Sequence, residues 1–397
     1  MKHLISFLGT GNYQRVTYEL DGKRASSCYI AAVLAELLEP DKVIVAATDE
    51  AWAKHGRGVE AAFRERNLDP PQRAAIPPGA SEAELWSQFQ TVVDLIAAPG
   101  EDDEVVFDIT HGFRSQPFFA SAAIDYCRSV LGRPANLRVV YGAFEAKNSE
   151  NVAPIWDLTV YVDALDWSRA LLLFLRTGRA DDVVKPTERL GRSLRKQWSL
   201  SGRHGPAPRL QQLARAFENF GKDLVTVRTG SMLCEQPSSA KQLLQALQES
   251  RAEVTARIPP LGHVLDRILG MVRPLCTDAR LSQPEGQRAL QHLARMYLQM
   301  GRYAEAAAMV REGWITAYAD QRADRPVRGR FETDAREEAE ARLRTDSPRL
   351  LEEIGDVRND IEHAGFRKQP LPPETIISRI RKLIDRWEHE TAGSGSS

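Results

Sequence analysis

The spacing of apolar residues changes once along the chain. Up to about residue 165, short apolar runs of strand length alternate with amphipathic stretches of helix length, the pattern of an α/β domain. The strand candidates are HLISFLG, KVIVAAT, EVVFDIT, LRVVYGAF and LTVYVD, with helices predicted at about 25 to 39, 50 to 67, 81 to 98 and 116 to 132. Segments such as VIV and VVF are apolar on consecutive positions, which suits central strands covered on both faces, and helical crossovers make most pairings parallel. A Rossmann-like, mostly parallel sheet follows. One stretch departs from it, because VTYELDGKRA reads as a hairpin turning at Asp21-Gly22.

Beyond Asp163 the β-branched runs give way to leucine, alanine, arginine, glutamine and glutamate at helical spacing, as in LQQLARAFENF. Proline and glycine break this region at SGRHGPAP, ARIPPLG and DARLSQPEG. The expected organisation is a first domain over 1–165, a helical connecting region over 166–280 and a C-terminal helical domain over 281–392. Within the last, residues 319 to 338 are dense in charge and poor in apolar side chains, and are expected to form an exposed loop. The closing GSGSS, 393–397, has the composition of a flexible linker.

With 397 residues, 43% of them apolar, the chain can bury a substantial core. A formal net charge of -1 argues against a surface coated in basic residues, so any nucleic-acid site must be local. Four cysteines, Cys28, Cys127, Cys234 and Cys276, lie far apart with no CxxC pair, which points away from a zinc knuckle or disulfide framework and toward a reducing cytoplasm. No apolar stretch approaches membrane-spanning length.

Two loops carry the chemistry of the first domain. Ligands of open parallel sheets bind at the carboxyl ends of strands. GTGNY, Gly9, Thr10, Gly11, Asn12 and Tyr13, follows the first predicted strand, and its glycines let backbone N–H groups turn toward an anion. A dinucleotide fingerprint needs a third glycine at position 14, where Gln14 stands, and the hairpin replaces the helix that should follow; the plain alternative is a tight turn. The second loop, DITHGFRSQP, sets Asp108, Thr110, His111, Arg114 and Ser115 at one strand end beside Gly112 and Phe113. Its plain alternative is a capping aspartate with a satisfied histidine. An arginine and a histidine beside phosphate-binding amides suit a polyanionic nucleotide.

A strand leading into GTGNY, combined with D-x-T-H-G-F-R, resembles the DxTHG branch of the CRISPR-associated CARF proteins of type III systems. The resemblance spans residues 1–165 and implies a sensor of cyclic oligoadenylate, held by Gly9 to Tyr13 and by Asp108, Thr110, His111, Gly112, Phe113 and Arg114. It implies a homodimer, or a higher even-numbered oligomer, with the ring across a two-fold axis. Cyclic tetra-adenylate is the favoured activator, with cyclic hexa-adenylate as the other ring size.

In VRNDIEHAG, residues 357 to 365, Arg358 precedes His363 by five positions. With 53 Lys+Arg and 8 histidines, roughly one such pair arises by chance, so spacing decides nothing. On a helix Asn359 and His363 share a face, whereas Arg358 points about 140° from His363. Two copies across a two-fold axis would gather a compact cluster suited to a phosphodiester. The plain alternative pairs Arg358 with Glu362 on an exposed helix. YLQMGRYAEAAAMVREGWITAYA followed by LLEEIGDVRNDIEHAGF resembles the HEPN nuclease fold, whose motif is R-x4-H with a polar residue after the arginine. The resemblance implies a single-stranded RNA endoribonuclease in CRISPR antiviral defence. His363 would serve as general base or acid, Arg358 would stabilise the phosphorane, and Asn359 would orient the histidine or the substrate. The nucleophile is the ribose 2′-hydroxyl, so DNA is spared, the product end is a 2′,3′-cyclic phosphate, and no metal or cofactor is required. Asp356 and Asp360 share a helical face but read as solvated acids before a Mg²⁺ site. Two other functions compete, a nucleotide-responsive helical adaptor without catalysis, and a dinucleotide-dependent oxidoreductase.

Overall fold

The computed structural model describes residues 1–112, 116–132, 136–200, 202–327 and 330–393. The chain divides into two compact units, Met1–Asp166 and Trp167–Ser397. The first is built on strands β1 (Lys2–Leu8), β2 (Val16–Leu20), β3 (Lys23–Ser27), β4 (Lys42–Ala47), β5 (Gln72–Ala75), β6 (Glu104–Asp108), β7 (Asn136–Gly142) and β8 (Val152–Asp157). Helices α1 (Ile30–Leu38), α2 (Asp49–Arg64), α3 (Glu82–Ala97) and α4 (Gln116–Tyr126) connect them.

The strands form one sheet in the order β3-β2-β8-β7-β6-β1-β4-β5. Pairing is parallel except at β2 with β3 and β7 with β8. Side chains alternate across a strand, so the continuous apolar run of β1 feeds two cores at once. Leu4 and Leu8 pack with α1 and α2 on one face. Ile5 and Phe7 pack with α3 and α4 on the other. Helix starts are set by short polar caps: Thr48 accepts from the Ala51 N–H, and Ser81 accepts from that of Glu84 while Glu84 reaches back to the N–H groups of Gly79 and Ala80.

The hairpin is present. Asp21 and Gly22 both have positive φ, 51° and 79°, which matches the right-handed twist of β2 and β3. Three expectations need correction. LTVYVD is not a strand, because a helix begins at Thr159, where Asp157 accepts the Thr159 N–H at 3.0 Å. Its buried positions, Val162, Trp167, Ala170, Leu171 and Phe174, follow the helical period, and VAPIWD just upstream supplies the strand. The helix expected from residue 25 begins at Ile30, since Ala25 and its neighbours pair in the hairpin. Short β5 was missed because its sequence, QRAA, has no apolar pattern.

Helix α5 (Thr159–Thr177) is followed by α6 (Asp181–Leu200), α7 (Leu210–Val225), α8 (Ser239–Arg257) and α9 (Leu261–Val272). Then come α10 (Pro284–Gln299), α11 (Tyr303–Ala317), α12 (Thr333–Asp346), α13 (Pro348–Glu362) and α14 (Pro373–Gly393). No strand element occurs after Asp157 among the described residues. The core of the C-terminal part turns on Trp387 of α14, whose indole N–H donates to Gln287 at 2.8 Å. Gly313 makes this possible, because a Cβ there would lie 1.9 Å from the Trp387 ring. The charged stretch 319 to 338 is only partly a loop. It becomes helical at Thr333, and it buries Ala323 and Asp324, while Arg336 is held by Glu312 at 2.8 Å. Salt bridges replace the apolar signal there. No helix among the described residues is long and apolar enough to cross a membrane.

Candidate functional site

Strand order reverses at β1. After the β2–β3 hairpin at the far edge, the chain places β4 and β5 on one side of β1, then returns to place β6 and β7 on the other. The crevice at such a reversal, beyond the carboxyl ends of the strands, is where open α/β sheets take ligands. Ser6 of β1 lies in register with Asp108 of β6, so the Gly9–Tyr13 and Asp108–Gly112 loops emerge side by side.

Contacts between the loops are tight. The Tyr13 ring stacks on His111 with centroids 4.0 Å apart and planes 13° from parallel. The Tyr13 hydroxyl accepts the Gly9 N–H at 3.0 Å. Gly9 has no room for a side chain, since a Cβ would meet the His111 carbonyl oxygen at 2.9 Å. Helix α2 grips the loop from outside: Lys54 donates to the Thr10 carbonyl at 2.7 Å and to Asn12 Oδ1 at 3.0 Å, and His55 Nε2 donates to the Gly11 carbonyl at 2.8 Å. Carbonyls are thereby drawn toward α2. Among the described residues, the N–H groups of Thr10, Asn12 and Tyr13 make no hydrogen bond.

Asp108, expected from sequence as a ligand contact, stands beneath the loop rather than in its wall. It is fully buried and accepts from Ser6 Oγ at 2.5 Å and from the Thr110 N–H at 3.0 Å. The Thr110 hydroxyl also donates to it, and in turn accepts the Gly142 N–H at 2.8 Å. Burial pushes the Asp108 carboxyl up to about 6, against the pull of these hydrogen bonds. Burial, reinforced by nearby His55, pushes His111 down to about 4, so its imidazole is neutral at pH 7 and offers a stacking face and hydrogen bonds rather than a charge.

Above these groups lies a cavity of about 210 Å³, whose wall includes Asn12, Tyr13, Thr110, His111, Tyr141 and Glu145. Tyr141 donates to Glu145 at 3.2 Å. Gly112 backs the second loop, where a Cβ would crowd Gln116 at 3.0 Å. Phe113 and Arg114 lie outside the described residues, as does Ser115.

The second candidate centre is at the end of α13. Asn359 and His363 are exposed, and His363 caps the helix, its N–H bonded to the Asn359 carbonyl at 3.0 Å. Arg358 is ion-paired with Glu362 at 2.8 Å, the plain alternative for this residue in a single chain. Such an exposed pair, with arginine preceding glutamate, is worth only a few tenths of a kcal/mol and gives way easily to a phosphate. Asp360 is not a solvated acid. It is 3% exposed and accepts the Leu371 N–H at 3.0 Å, with Arg367 3.5 Å away. A larger cavity, about 800 Å³, lies among α6, α7 and Arg302 but gathers none of the residues expected from sequence, and its Arg179, Lys222 and Arg302 are ion-paired.

Residues 3–70 match the family model described as the CARF domain of the CRISPR system endoribonuclease Csx1. The start of the chain is thus similar to a CRISPR-associated CARF domain. The matched segment runs from β1 to the end of α2 and so contains the Gly9–Tyr13 loop together with the Lys54 and His55 that hold it. CRISPR-associated protein MJ1674 of Methanocaldococcus jannaschii is 23% identical over 326 residues, covering 68% of this chain and 48% of the relative. The chain thus spans about half the length of the curated relative it matches. Among solved structures, Enterococcus italicus Csm6 bound to cyclic hexa-2'-fluoro-hexa-dAMP aligns with 99% of this chain and 95% of its own, at TM-score 0.42 and 10% identity.

In the first unit, Lys54, His55, Tyr141, Gly142 and Glu145 join the site without having been singled out from sequence. Gly142 did carry a signal, because a glycine inside the run LRVVYGAF marks a close backbone approach. Here a Cβ would lie 2.8 Å from the Tyr18 ring. Lys54 and His55 carried none, since only the packing of α2 against the strand ends brings them to the loop.

Proposed function

We propose that this protein is a cyclic-oligoadenylate-activated, metal-independent endoribonuclease of CRISPR antiviral defence, acting on single-stranded RNA as a homodimer or higher even-numbered oligomer. One observation carries the sensor half: reversal of the strand order at β1 sets GTGNY and DITHG together over a cavity. Unengaged N–H groups in the first loop suit phosphate oxygens. Glu145 can accept from the exocyclic amino group of adenine, and the stacked Tyr13 and His111 rings suit a base face. Cyclic tetra-adenylate is the favoured activator, with cyclic hexa-adenylate as the alternative. An oxidoreductase fits poorly, because β1 leads into the hairpin and the first helix begins only at Ile30, so no helix opens directly from the glycines to receive a dinucleotide pyrophosphate.

Catalysis is assigned to α13 in two copies of the chain. His363 takes the proton of a ribose 2′-hydroxyl as that oxygen bonds to phosphorus. The phosphorus–O5′ bond breaks and the leaving oxygen receives a proton, giving a 2′,3′-cyclic phosphate and a 5′-hydroxyl. Arg358, released from Glu362, meets the charge on the phosphorane oxygens, and Asn359 orients His363 or the substrate. Engagement of Asp360 with Leu371 N–H and Arg367 weighs against a Mg²⁺ cage with Asp356. The test is a fluorogenic RNA incubated with the protein, with each ring size, with a matched DNA, and with EDTA. Ligand-dependent, EDTA-resistant cleavage of RNA alone is expected. Ligand binding without cleavage would favour the adaptor function, and loss of cleavage in EDTA would overturn the metal-free scheme.

A further inference from the structure

We propose that Phe366 is a base-stacking subsite of the ribonuclease centre, taking a nucleobase of single-stranded RNA beside the linkage that His363 acts on; this rests on the nuclease function proposed above. Phe366 is 91% exposed, more than any other large apolar side chain exposed among the described residues. A single exposed apolar residue is ordinary in itself. What distinguishes this one is how firmly its backbone is held.

The chain reverses directly after His363, with Ala364 and Gly365 both left-handed, at φ 52° and 73°. The Phe366 N–H bonds to the His363 carbonyl at 2.9 Å, and the Gly365 N–H to that of Asp360 at 2.9 Å. Arg367 then folds back on α13, donating to the Asp356 carbonyl at 3.2 Å and lying 3.5 Å from the buried Asp360 carboxylate. That carboxylate also accepts the Leu371 N–H at 3.0 Å. The loop is stapled at both ends, and the ring it presents to solvent stands three residues from the imidazole. A bare phenyl face recognises any base by stacking, the usual means by which proteins hold unpaired RNA, and Lys368 beside it is exposed to meet the backbone. Asp360 and Arg367 are positioning residues in this arrangement.

The experiment uses the full chain with saturating activator. Affinity for a fluorescent, uncleavable 2′-O-methyl RNA is read by anisotropy, KM and kcat on the cleavable RNA are read in parallel, and oligomeric mass is read by light scattering. Phe366→Ala should weaken RNA binding and raise KM roughly tenfold, as expected for one lost stacked base, with the oligomer intact. Phe366→Trp should restore both. Unchanged affinity in Phe366→Ala, or dissociation of the oligomer in place of an RNA defect, would overturn the subsite, the latter marking the ring as a contact between copies. RNA binding that depends on Phe366 in a protein that cleaves nothing would keep the subsite and refute the nuclease assignment instead.

Discussion

Replacing Asp108 by asparagine tests the electrostatics beneath the sensor loop. The carboxyl is fully buried and its pKa is pushed up to about 6 from 3.8, so holding it ionised costs about 3 kcal/mol above pH 7. A carboxyl raised on folding contributes its stability fully below its unfolded value and loses it as pH rises through the folded one. The window is therefore pH 3.8 to about 6. The asparagine variant would remove this charge while its amide oxygen kept the Thr110 interactions and its NH2 faced Ser6, whose hydroxyl can turn to accept. Relative to the parent, Asp108→Asn should thus gain about 3 kcal/mol at pH 7.5 and only about 1 kcal/mol at pH 4.5. His111 shifts the opposite way, its neutral form costing stability as pH falls from 6.5 to about 4, but it is present in both proteins and cancels in the difference. Because the chain has two compact units, one global melt is ambiguous, and hydrogen exchange in β1 and β6 across this pH range is the proper assay. A difference that is the same at pH 4.5 and 7.5 would refute the argument that burial dominates the Asp108 environment.

Gly142→Ala pushes a methyl to 2.8 Å from the Tyr18 ring and 3.0 Å from Ile30, so it should destabilise the first unit by about 1 to 3 kcal/mol, read by hydrogen exchange in β2 and β7, and raise the half-activating concentration of cyclic tetra-adenylate. Lys54→Met removes the bonds to Thr10 and Asn12, and calorimetry should find ligand affinity lowered by roughly tenfold while the maximal cleavage rate at saturation is unchanged. His363→Ala should lower RNA cleavage by at least about a hundredfold and leave ligand affinity intact, whereas Thr10→Ala should shift only the activation curve; loss of ligand binding in His363→Ala would contradict two separate sites. Glu362→Gln should alter stability by less than about 0.5 kcal/mol, because the pair it breaks is exposed, and a larger drop would mean that Arg358 is structurally committed.

What the sequence by itself determined is periodic or local. Consecutive apolar runs announced central strands, a change of period announced the helical half, and Asp21-Gly22 announced its hairpin, since each depends on the residue's own backbone preference or on one buried face. The two strand-end loops were legible because glycines and polar residues interrupt apolar runs only where backbone and solvent must meet. LTVYVD misled because six apolar and polar residues fit both periods, and the choice fell to the Asp157 cap at Thr159. Tertiary structure alone decided that Asp108 supports from beneath, that Lys54 and His55 grip a loop more than forty positions away, and that Asp360 anchors the turn after His363. Burial and contact across the chain set those roles, and neither is a property of a residue's neighbours in sequence: a carboxylate becomes a base, an anchor or a solvated charge according to the dielectric and the donors that folding brings to it.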